Sequence, residues 1–432
     1  MAQVTTLNAR PVEASATPVG GTRGWSVWLL AVAFVIYVFS FQTGYSVFNR
    51  SIQHDVGLTV ARVGLIAATY TWSFALFQLF SGALLDRLGA RKILVPAIAL
   101  VTTGVFAFSR AGSFESIIGA QLILALGACA GFVGAGYVGG RWFGMAKFSF
   151  MFGLVQCFAS TFSAFNQNLF DFALKHLAWR ELFSCIGFAG LALCILAILF
   201  IRDPAPVAGP GLREGIGRFV RDVLSGMLDV AKVGHVWIAA VYGALVFGSL
   251  LAAGVVWAPR LMLVRGLPPD IANVAASVLW LGMAAGCLLI PWWSDVIKQR
   301  KRPVLVGIVL QLAALLALVY LPHLSAATSI VLWFLFGVGA AAHMLAFSTA
   351  GDVVRPDQIG TSAAIVNGTM FVCSGFLIDL PGSIANRALA GGGQATPAIA
   401  AMAARPLILA LVIAILLAAL TRESFPKPSG AL

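Results

Sequence analysis

Long apolar runs separated by short polar breaks dominate this chain. A helix needs roughly 20 apolar residues to cross a membrane. Backbone groups in lipid must also be hydrogen-bonded within the segment, so each run is predicted to be a helix. The pattern predicts an all-α polytopic membrane protein with twelve transmembrane helices, at 25–48, 60–85, 93–109, 115–140, 148–172, 181–201, 235–258, 271–293, 303–321, 326–350, 360–383 and 398–420.

The composition excludes several other classes. Of the 432 residues, 60% are hydrophobic and 10% are charged, and the mean hydropathy is +0.94. Soluble domains are about 25% charged, which disfavours a water-soluble enzyme. The longest polar stretch, 202–234, is shorter than the roughly 50 residues of a small domain, which disfavours an ATP-driven pump. Phosphate-loop, HExxH and GxSxG motifs are missing, so we predict no enzymatic activity and no cofactor.

The charge and the cysteine content do not indicate any other class of protein. The net charge of +12 is attributed to cytoplasmic loops of a membrane protein, and no nucleic-acid partner is predicted. The six cysteines lie inside apolar runs without a CxxC pair, which indicates core residues rather than a disulfide framework or a metal site. We predict a monomer whose partners are the lipid bilayer and a small solute.

Basic residues also predict the orientation. With both termini cytoplasmic, 19 of the 28 Lys and Arg residues fall on the inside. The expected organisation is a cytoplasmic tail (1–24), a six-helix bundle (25–201), a cytoplasmic linker (202–234), a second six-helix bundle (235–420) and a cytoplasmic tail (421–432). The expected location is a bacterial inner membrane.

The two halves repeat one plan. Asp86 is followed by Arg91-Lys92, and 209 residues later Asp295 is followed by Arg300-Lys301. A Gly-Leu pair recurs at the same offset, at 57–58 and 266–267. Two six-helix repeats joined by a cytoplasmic linker are typical of transporters in which two bundles rock about a midplane site.

The linker carries its own pattern. Apolar residues follow helical spacing at Leu212, Ile216, Phe219 and Val223, with arginines on the other faces. This pattern predicts a basic amphipathic helix on the inner leaflet, and a flexible tether is the alternative.

The loop between the second and third runs resembles the GxLxDRxGRR/K signature of the major facilitator superfamily. The matching residues are Gly82, Asp86, Arg87, Gly89, Arg91 and Lys92. The resemblance implies a fold of two pseudo-symmetric six-helix bundles, in which this loop acts as a conformational latch that closes the cytoplasmic side. A second copy, built on Asp295 and Arg300, is degenerate because Pro291 stands where the first copy has Gly82.

Other motifs address the solute. Arg141-Trp142-Phe143 resembles an element of organic-anion members such as the oxalate/formate exchangers. The anion:cation symporters place an arginine in the first span, where this chain has Gln42. The GP-type motif of drug/proton antiporters does not occur between Lys147 and Phe170, so multidrug efflux is not favoured.

Polar and aromatic side chains within the runs give candidate substrate-binding residues. His343 is the titratable group expected nearest the membrane midplane, where such groups are costly and usually functional. The candidates are Gln42, Tyr45, Tyr70, Gln156, Tyr242, Trp280, His343 and Asn367. For each of them, helix packing is the alternative role.

These patterns together predict a secondary active or facilitative transporter. It moves a small polar solute, with organic anions as one class, by alternating access between the two halves. A proton or another ion is a candidate coupling partner, and uniport, exchange and coupling through His343 are the alternatives. The alternative is a non-transporting scaffold or sensor with the same fold.

Overall fold

The computed structural model describes residues 20–144, 147–204, 216–389 and 396–425, and the regular secondary structure in these residues is helical. The first half contains α1 (Gly21–Val56), α2 (Val60–Leu88), α3 (Ala90–Ser109), α4 (Phe114–Ala128), α5 (Gly131–Phe143), α6 (Phe148–Leu174) and α7 (Trp179–Phe200). The linker helix α8 (Ile216–Ala231) follows. The second half contains α9 (Gly234–Ala252), α10 (Ala258–Val264), α11 (Pro269–Ile297), α12 (Lys301–Tyr320), α13 (Ala326–Ala340), α14 (Met344–Gly351), α15 (Ile359–Leu389) and α16 (Pro397–Leu420).

Membrane-spanning helices account for nearly the whole described chain. Eleven segments are long and apolar enough to cross a membrane. Helix α2, with 29 residues, completes the set of twelve. It contains the polar residues Gln78 and Ser81, and both are buried inside the protein. The prediction of an all-α polytopic membrane protein is confirmed.

Three predicted runs form broken rather than continuous helices. The run at 115–140 is interrupted by a turn at Cys129–Ala130, between α4 and α5. The run at 235–258 contains a π-helical segment, Ala253–Trp257, and the run at 326–350 contains a 3₁₀ turn, Ala341–His343. Such segments recur at functional positions, because they redirect side chains that a regular helix would hold elsewhere.

The bundle has two ends, defined here by the helix termini. At the near end, where α1 begins and α16 ends, the N–H of Gly20 donates to the carbonyl of Trp142 at 3.0 Å. At the far end, where α1 ends and α7 begins, Arg180 pairs with Asp55. The side chains of Arg180 and Asp55 thereby hold α1 and α7 together within the first half.

Two helix pairs make the most extensive contacts between the halves, α2 with α15 and α6 with α11. Both pairs approach closely through glycine. A Cβ on Gly153 of α6 would overlap the carbonyl oxygen of Cys287 and lie 3.1 Å from Cγ of Pro291. A Cβ on Gly82 of α2 would lie 2.7 Å from the Cβ of Ala364. Glycine at these positions therefore allows the near end to close.

The linker helix α8 packs beneath the near end of α2. Val223 is buried against Ala83, with Leu84, Leu88 and Met227 around them. A second apolar stripe of α8 is exposed, at Val220, Leu224 and Leu228. Leu212 and Arg213, at the start of the expected amphipathic pattern, lie outside the described residues.

Candidate functional site

A small central cavity lies between the halves. Its polar lining comes from Gln156 on α6, His343 in the 3₁₀ turn and Asn367 on α15. Its other lining residues are apolar, namely Phe39, Phe74, Phe132, Phe247, Phe347, Met370 and Phe371. The cavity volume is 10 Å³. A single water molecule needs a cavity of about 10–15 Å³. The central cavity is therefore contracted in this conformation and has no room for a solute.

Gln156 and His343 each keep one hydrogen-bonding group without a partner among the described residues. The amide nitrogen of Gln156 donates to the hydroxyl of Ser160 at 3.1 Å, which leaves its amide oxygen. Nδ1 of His343 lies 2.7 Å from the carbonyl oxygen of Ala340. Since a carbonyl oxygen only accepts, Nδ1 carries the proton and Nε2 remains for a ligand. The ring of Phe247 lies against the histidine, with centroids 4.9 Å apart.

Asn367 also joins the two halves. Its amide nitrogen donates to the amide oxygen of Gln78 on α2 at 3.0 Å, and both side chains are buried. Closer to the near end, the hydroxyls of Ser149 and Ser348 are 2.6 Å apart, again across the halves. Gln78, Ser149 and Ser348 were not among the sequence candidates. Gln78 could have been found, because a buried amide in an otherwise apolar run needs a partner.

A second polar cavity, of 70 Å³, lies within the first half. Gln42, Tyr45 and Tyr70 line it, together with Gln121 of α4. The hydroxyl of Tyr45 donates to the carbonyl of Val63 at 2.9 Å. The Tyr70 hydroxyl is buried without a hydrogen-bond partner among the described residues.

An aromatic pair separates the two cavities. The ring of Tyr70 stacks on that of Phe74, with centroids 6.0 Å apart, and Phe74 lines the central cavity. The sequence candidates therefore divide between two adjacent cavities rather than forming one site.

Two candidates lie at neither cavity. The hydroxyl of Tyr242 donates to that of Thr349 at 3.2 Å, inside the second half. Trp280 packs against Gly254 in the π-helical segment, where a Cβ would lie 3.2 Å from its ring. In this conformation each fills space between helices of its own half, and substrate binding by either residue stays a prediction.

The motif loop makes the main polar contact between the halves. The carboxylate of Asp86 accepts hydrogen bonds from the backbone N–H groups of Gly360 at 3.0 Å and Thr361 at 2.8 Å. The Thr361 hydroxyl donates to it at 3.0 Å. These N–H groups belong to the first turn of α15, where a carboxylate is favoured. We call this set of contacts the near-end latch.

The remaining motif residues stay on the first half and the linker. Arg87 donates to the backbone carbonyl of Asp222 on α8 at 2.5 Å. Gly89 has φ +82°, so the turn into α3 requires glycine. Arg91 donates to the carbonyl of Ile201 at 2.9 Å. Lys92 is exposed.

The second copy of the motif is closed within its own half. The guanidinium of Arg300 pairs with Asp295 at 2.8 Å and Asp352 at 3.1 Å, and lies 4.6 Å from the ring centre of Phe425. Asp295 therefore does not repeat the contact that Asp86 makes across the halves.

Matching carboxylates cap the helix that follows each motif. Asp203 accepts from the N–H groups of Ala90 at 2.7 Å and Arg91 at 3.2 Å, at the start of α3. Glu423 accepts from those of Arg300 at 2.7 Å and Lys301 at 3.3 Å, at the start of α12. Burial alone raises the pKa of Glu423, but hydrogen bonds from backbone N–H groups outweigh burial and lower the pKa below its usual value.

Two six-helix halves around a central cavity that contains a few polar side chains have the architecture of an alternating-access membrane carrier. The inter-half hydrogen bonds in the described part of the chain lie between this cavity and the near end. The chain belongs to the Major Facilitator Superfamily, whose sequence pattern matches residues 29–378. The resemblance seen in the motif loop is thereby confirmed.

Curated relatives are named as transporters of organic acids. A probable galactarate/D-glucarate transporter of Bacillus subtilis (strain 168) is 25% identical over 202 residues, 44% of each chain. The match thus spans less than half the length of that relative. The 3-(3-hydroxy-phenyl)propionate transporter of Escherichia coli (strain K12) is 25% identical over 360 residues, 80% of this chain and 82% of that one.

Solved structures share the fold. The proton:xylose symporter XylE, bound to 6-bromo-6-deoxy-D-glucose, superposes with a TM-score of 0.64 and 15% identity. The superposition covers 93% of this chain and 96% of the symporter. At this identity, the similarity supports the twelve-helix architecture alone.

Proposed function

We propose that this chain is a secondary transporter that moves a small organic acid by alternating access. The observation that carries the proposal is the central cavity, where Gln156 from one half meets His343 and Asn367 from the other. A solute held between the halves is released to one side or the other when the halves rock. The names of the relatives supply the solute class, since both described above are organic-acid transporters.

The near-end latch makes this conformation closed at the near end. In the proposed cycle, opening the near end breaks the contacts of Asp86 with Gly360 and Thr361, and the bond between Gln78 and Asn367. Aromatic contacts such as Phe74 with Phe371, whose centroids are 4.6 Å apart, then rearrange and widen the cavity. The basic residues of the motif loops at this end support a cytoplasmic near end. Both termini would then lie on the cytoplasmic side of a bacterial inner membrane.

His343 gives the proposed site a means of binding an anion. Among the residues that line the central cavity, it is the one able to carry a positive charge. An unpaired carboxylate in an apolar site is strongly disfavoured. We infer that His343 binds a proton together with a carboxylate, Nδ1 donating to Ala340 and Nε2 to the solute. The solute carboxylate and the proton then cross as a neutral pair, which is proton-coupled uptake of a monocarboxylate.

Gln156 and Asn367 would orient the rest of the solute. The Gln156 amide oxygen can accept from a hydroxyl, and the amide nitrogen of Asn367 can exchange Gln78 for a solute oxygen when the halves separate. The scaffold or sensor alternative is not favoured, because the relatives are transporters and the latch suits a loop that rearranges. No enzymatic activity is proposed.

Uptake into proteoliposomes tests this function. Liposomes at internal pH 7.5 are placed in buffer at pH 6.0 with labelled 3-phenylpropionate, galactarate or, as a neutral solute, xylose. We expect accumulation of a carboxylate that collapses with a protonophore. Replacing His343 by Gln should lower it about 10- to 100-fold, the worth of one charge-assisted hydrogen bond. His176→Gln, at an exposed far-end histidine, is the matched control. Transport of xylose alone would contradict the solute class, and unchanged uptake by His343→Gln would contradict the mechanism.

A further inference from the structure

A third cavity lies entirely within the second half. Its volume is 260 Å³, and it shares no lining residue with the central cavity. Helices α10, α12, α13, α15 and α16 surround it. The deep wall is formed by buried apolar side chains, including Leu315, Trp333 and Leu407. The cavity is therefore apolar and embedded among membrane-spanning helices.

The mouth of this cavity carries one cation. Arg260 is exposed on α10, and its guanidinium lies 5.5 Å from the ring centre of Trp257. Within the described residues it forms no ion pair with a carboxylate. A long basic side chain on an apolar helix extends its charge toward the membrane interface. Arg260 thus places an uncompensated positive charge beside an apolar cavity.

Two polar groups in the wall also lack partners. The indole N–H groups of Trp257 and Trp333 are buried without a hydrogen bond among the described residues, and Trp333 is 1% exposed. A buried indole N–H usually donates to an acceptor, and leaving one unpaired is costly. Trp257 ends the π-helical segment, a distortion that recurs at binding sites. The two rings line the cavity, while their N–H groups lie beneath its surface.

We propose that this cavity binds an anionic phospholipid, with one acyl chain in the cavity and the phosphate on Arg260. Water is a poor occupant, because the apolar wall offers it few partners. An empty cavity would forfeit dispersion contacts along its walls. Lipid chains surround the protein at high local concentration, and an acyl chain supplies the dispersion contacts that the apolar walls would otherwise lack. The single cation matches a single phosphate.

Lipid retention measured by native mass spectrometry tests the proposal. The intact chain is purified in detergent with equal amounts of palmitoyl-oleoyl phosphatidylglycerol and phosphatidylcholine. We expect one retained phosphatidylglycerol, reduced about tenfold by Arg260→Gln, which removes the charged hydrogen bond. Arg302→Gln, at an exposed arginine of the same half, is the matched control and should retain the lipid.

A cavity-filling variant tests binding of the acyl chain independently of binding of the headgroup. Ala403 is 1% exposed and lines the cavity, so Ala403→Leu occupies the space without altering the charge. The proposal predicts that it also loses the lipid, while its melting temperature in detergent stays at or above that of the parent chain. Retention by Ala403→Leu would show a headgroup contact on the outer surface and overturn the proposal. Two other results would overturn the proposal as well. One is equal retention of phosphatidylglycerol and phosphatidylcholine, and the other is loss of all bound phospholipid when the fatty acid laurate is added as a competitor.

Discussion

Gly82→Ala should force the near end open. A Cβ at this position would overlap the carbonyl oxygen of Gly360 and lie 2.7 Å from the Cβ of Ala364. Carbon atoms make their best contacts at about 3.5–4.0 Å, so α2 and α15 must separate by about 1 Å. The first turn of α15 also loses the carboxylate of Asp86, because those hydrogen bonds already span 2.8–3.0 Å.

The energetic effect can be bounded from these contacts. A capping side chain is worth about 0.5–2 kcal/mol, and a hydrogen bond to a charged group about 1.5–3 kcal/mol. Loss of the latch should therefore shift the equilibrium between near-end-closed and near-end-open states by about 2–4 kcal/mol. Since each 1.4 kcal/mol is about tenfold, the ratio of closed to open molecules should fall by about 30- to 700-fold. Transport that requires both states should slow by at least about tenfold.

Spin labels at Lys92→Cys and Arg302→Cys, exposed near-end positions on opposite halves, measure this change in a cysteine-free background. Gly82→Ala should move their distance distribution to longer values and slow uptake. Gly119→Ala is the matched control, because a Cβ there meets nothing within 4 Å. Normal size-exclusion behaviour of both variants shows that they fold. An unchanged distance distribution in Gly82→Ala would refute the assignment of this contact as the closure.

Three further predictions follow from single contacts. Asp86→Asn should weaken the latch by about 1–2 kcal/mol and lengthen the same spin-label distance, whereas Asp295→Asn, whose partner Arg300 is on its own half, should leave that distance unchanged. Gln78→Leu should lower thermal stability by about 1–3 kcal/mol, because the buried Asn367 amide loses its acceptor, with the exposed Thr103→Val as control. Glu423→Gln should flatten the dependence of melting temperature on pH below about 4.3, the unperturbed value for Glu. Because the folded pKa of Glu423 is lowered, its stabilising contribution is present above the unfolded value and is lost as pH falls; equal acid sensitivity of parent and variant would contradict this.

The sequence predicted the fold because lipid leaves few alternatives. Run length and apolar composition determine how many helices cross a membrane, and the twelve runs correspond to the twelve spanning segments. The helix breaks were missed for different reasons. The π-helical segment has a local signal in Pro259, which lacks the N–H that would donate within that segment, and this signal was not used. The turn at Cys129–Ala130 has no proline, so it depends on packing between helices, which a single-sequence pattern does not encode.

The candidate site was predicted less completely than the fold. His343, Gln156 and Asn367 were selected as polar residues in apolar runs, and they share one cavity. Helical periodicity gives the face of a helix but not its rotation within a bundle. Periodicity therefore could not predict that Tyr242 and Trp280 pack between helices of the second half.

The partners of Asp86 show the same limit at longer range. Its motif marks Asp86 as important, but Gly360 and Thr361 lie more than 270 residues away and form an ordinary helix start. Only the folded halves bring them together, so no local sequence pattern identifies the pairing.

The two halves share a plan but use it differently. Asp203 and Glu423 cap equivalent helices, which preserves the symmetry. Asp86 reaches the other half through backbone N–H groups, whereas Asp295 is paired with Arg300 within its own half. Opening at α2 and α15 therefore exposes a carboxylate to water. Opening at α6 separates the apolar contact between Gly153 and Pro291 and also the hydroxyls of Ser149 and Ser348. Water can replace the polar contacts on both sides, but only the contact at α2 and α15 carries a charge, so the two sides should respond differently to removal of that charge.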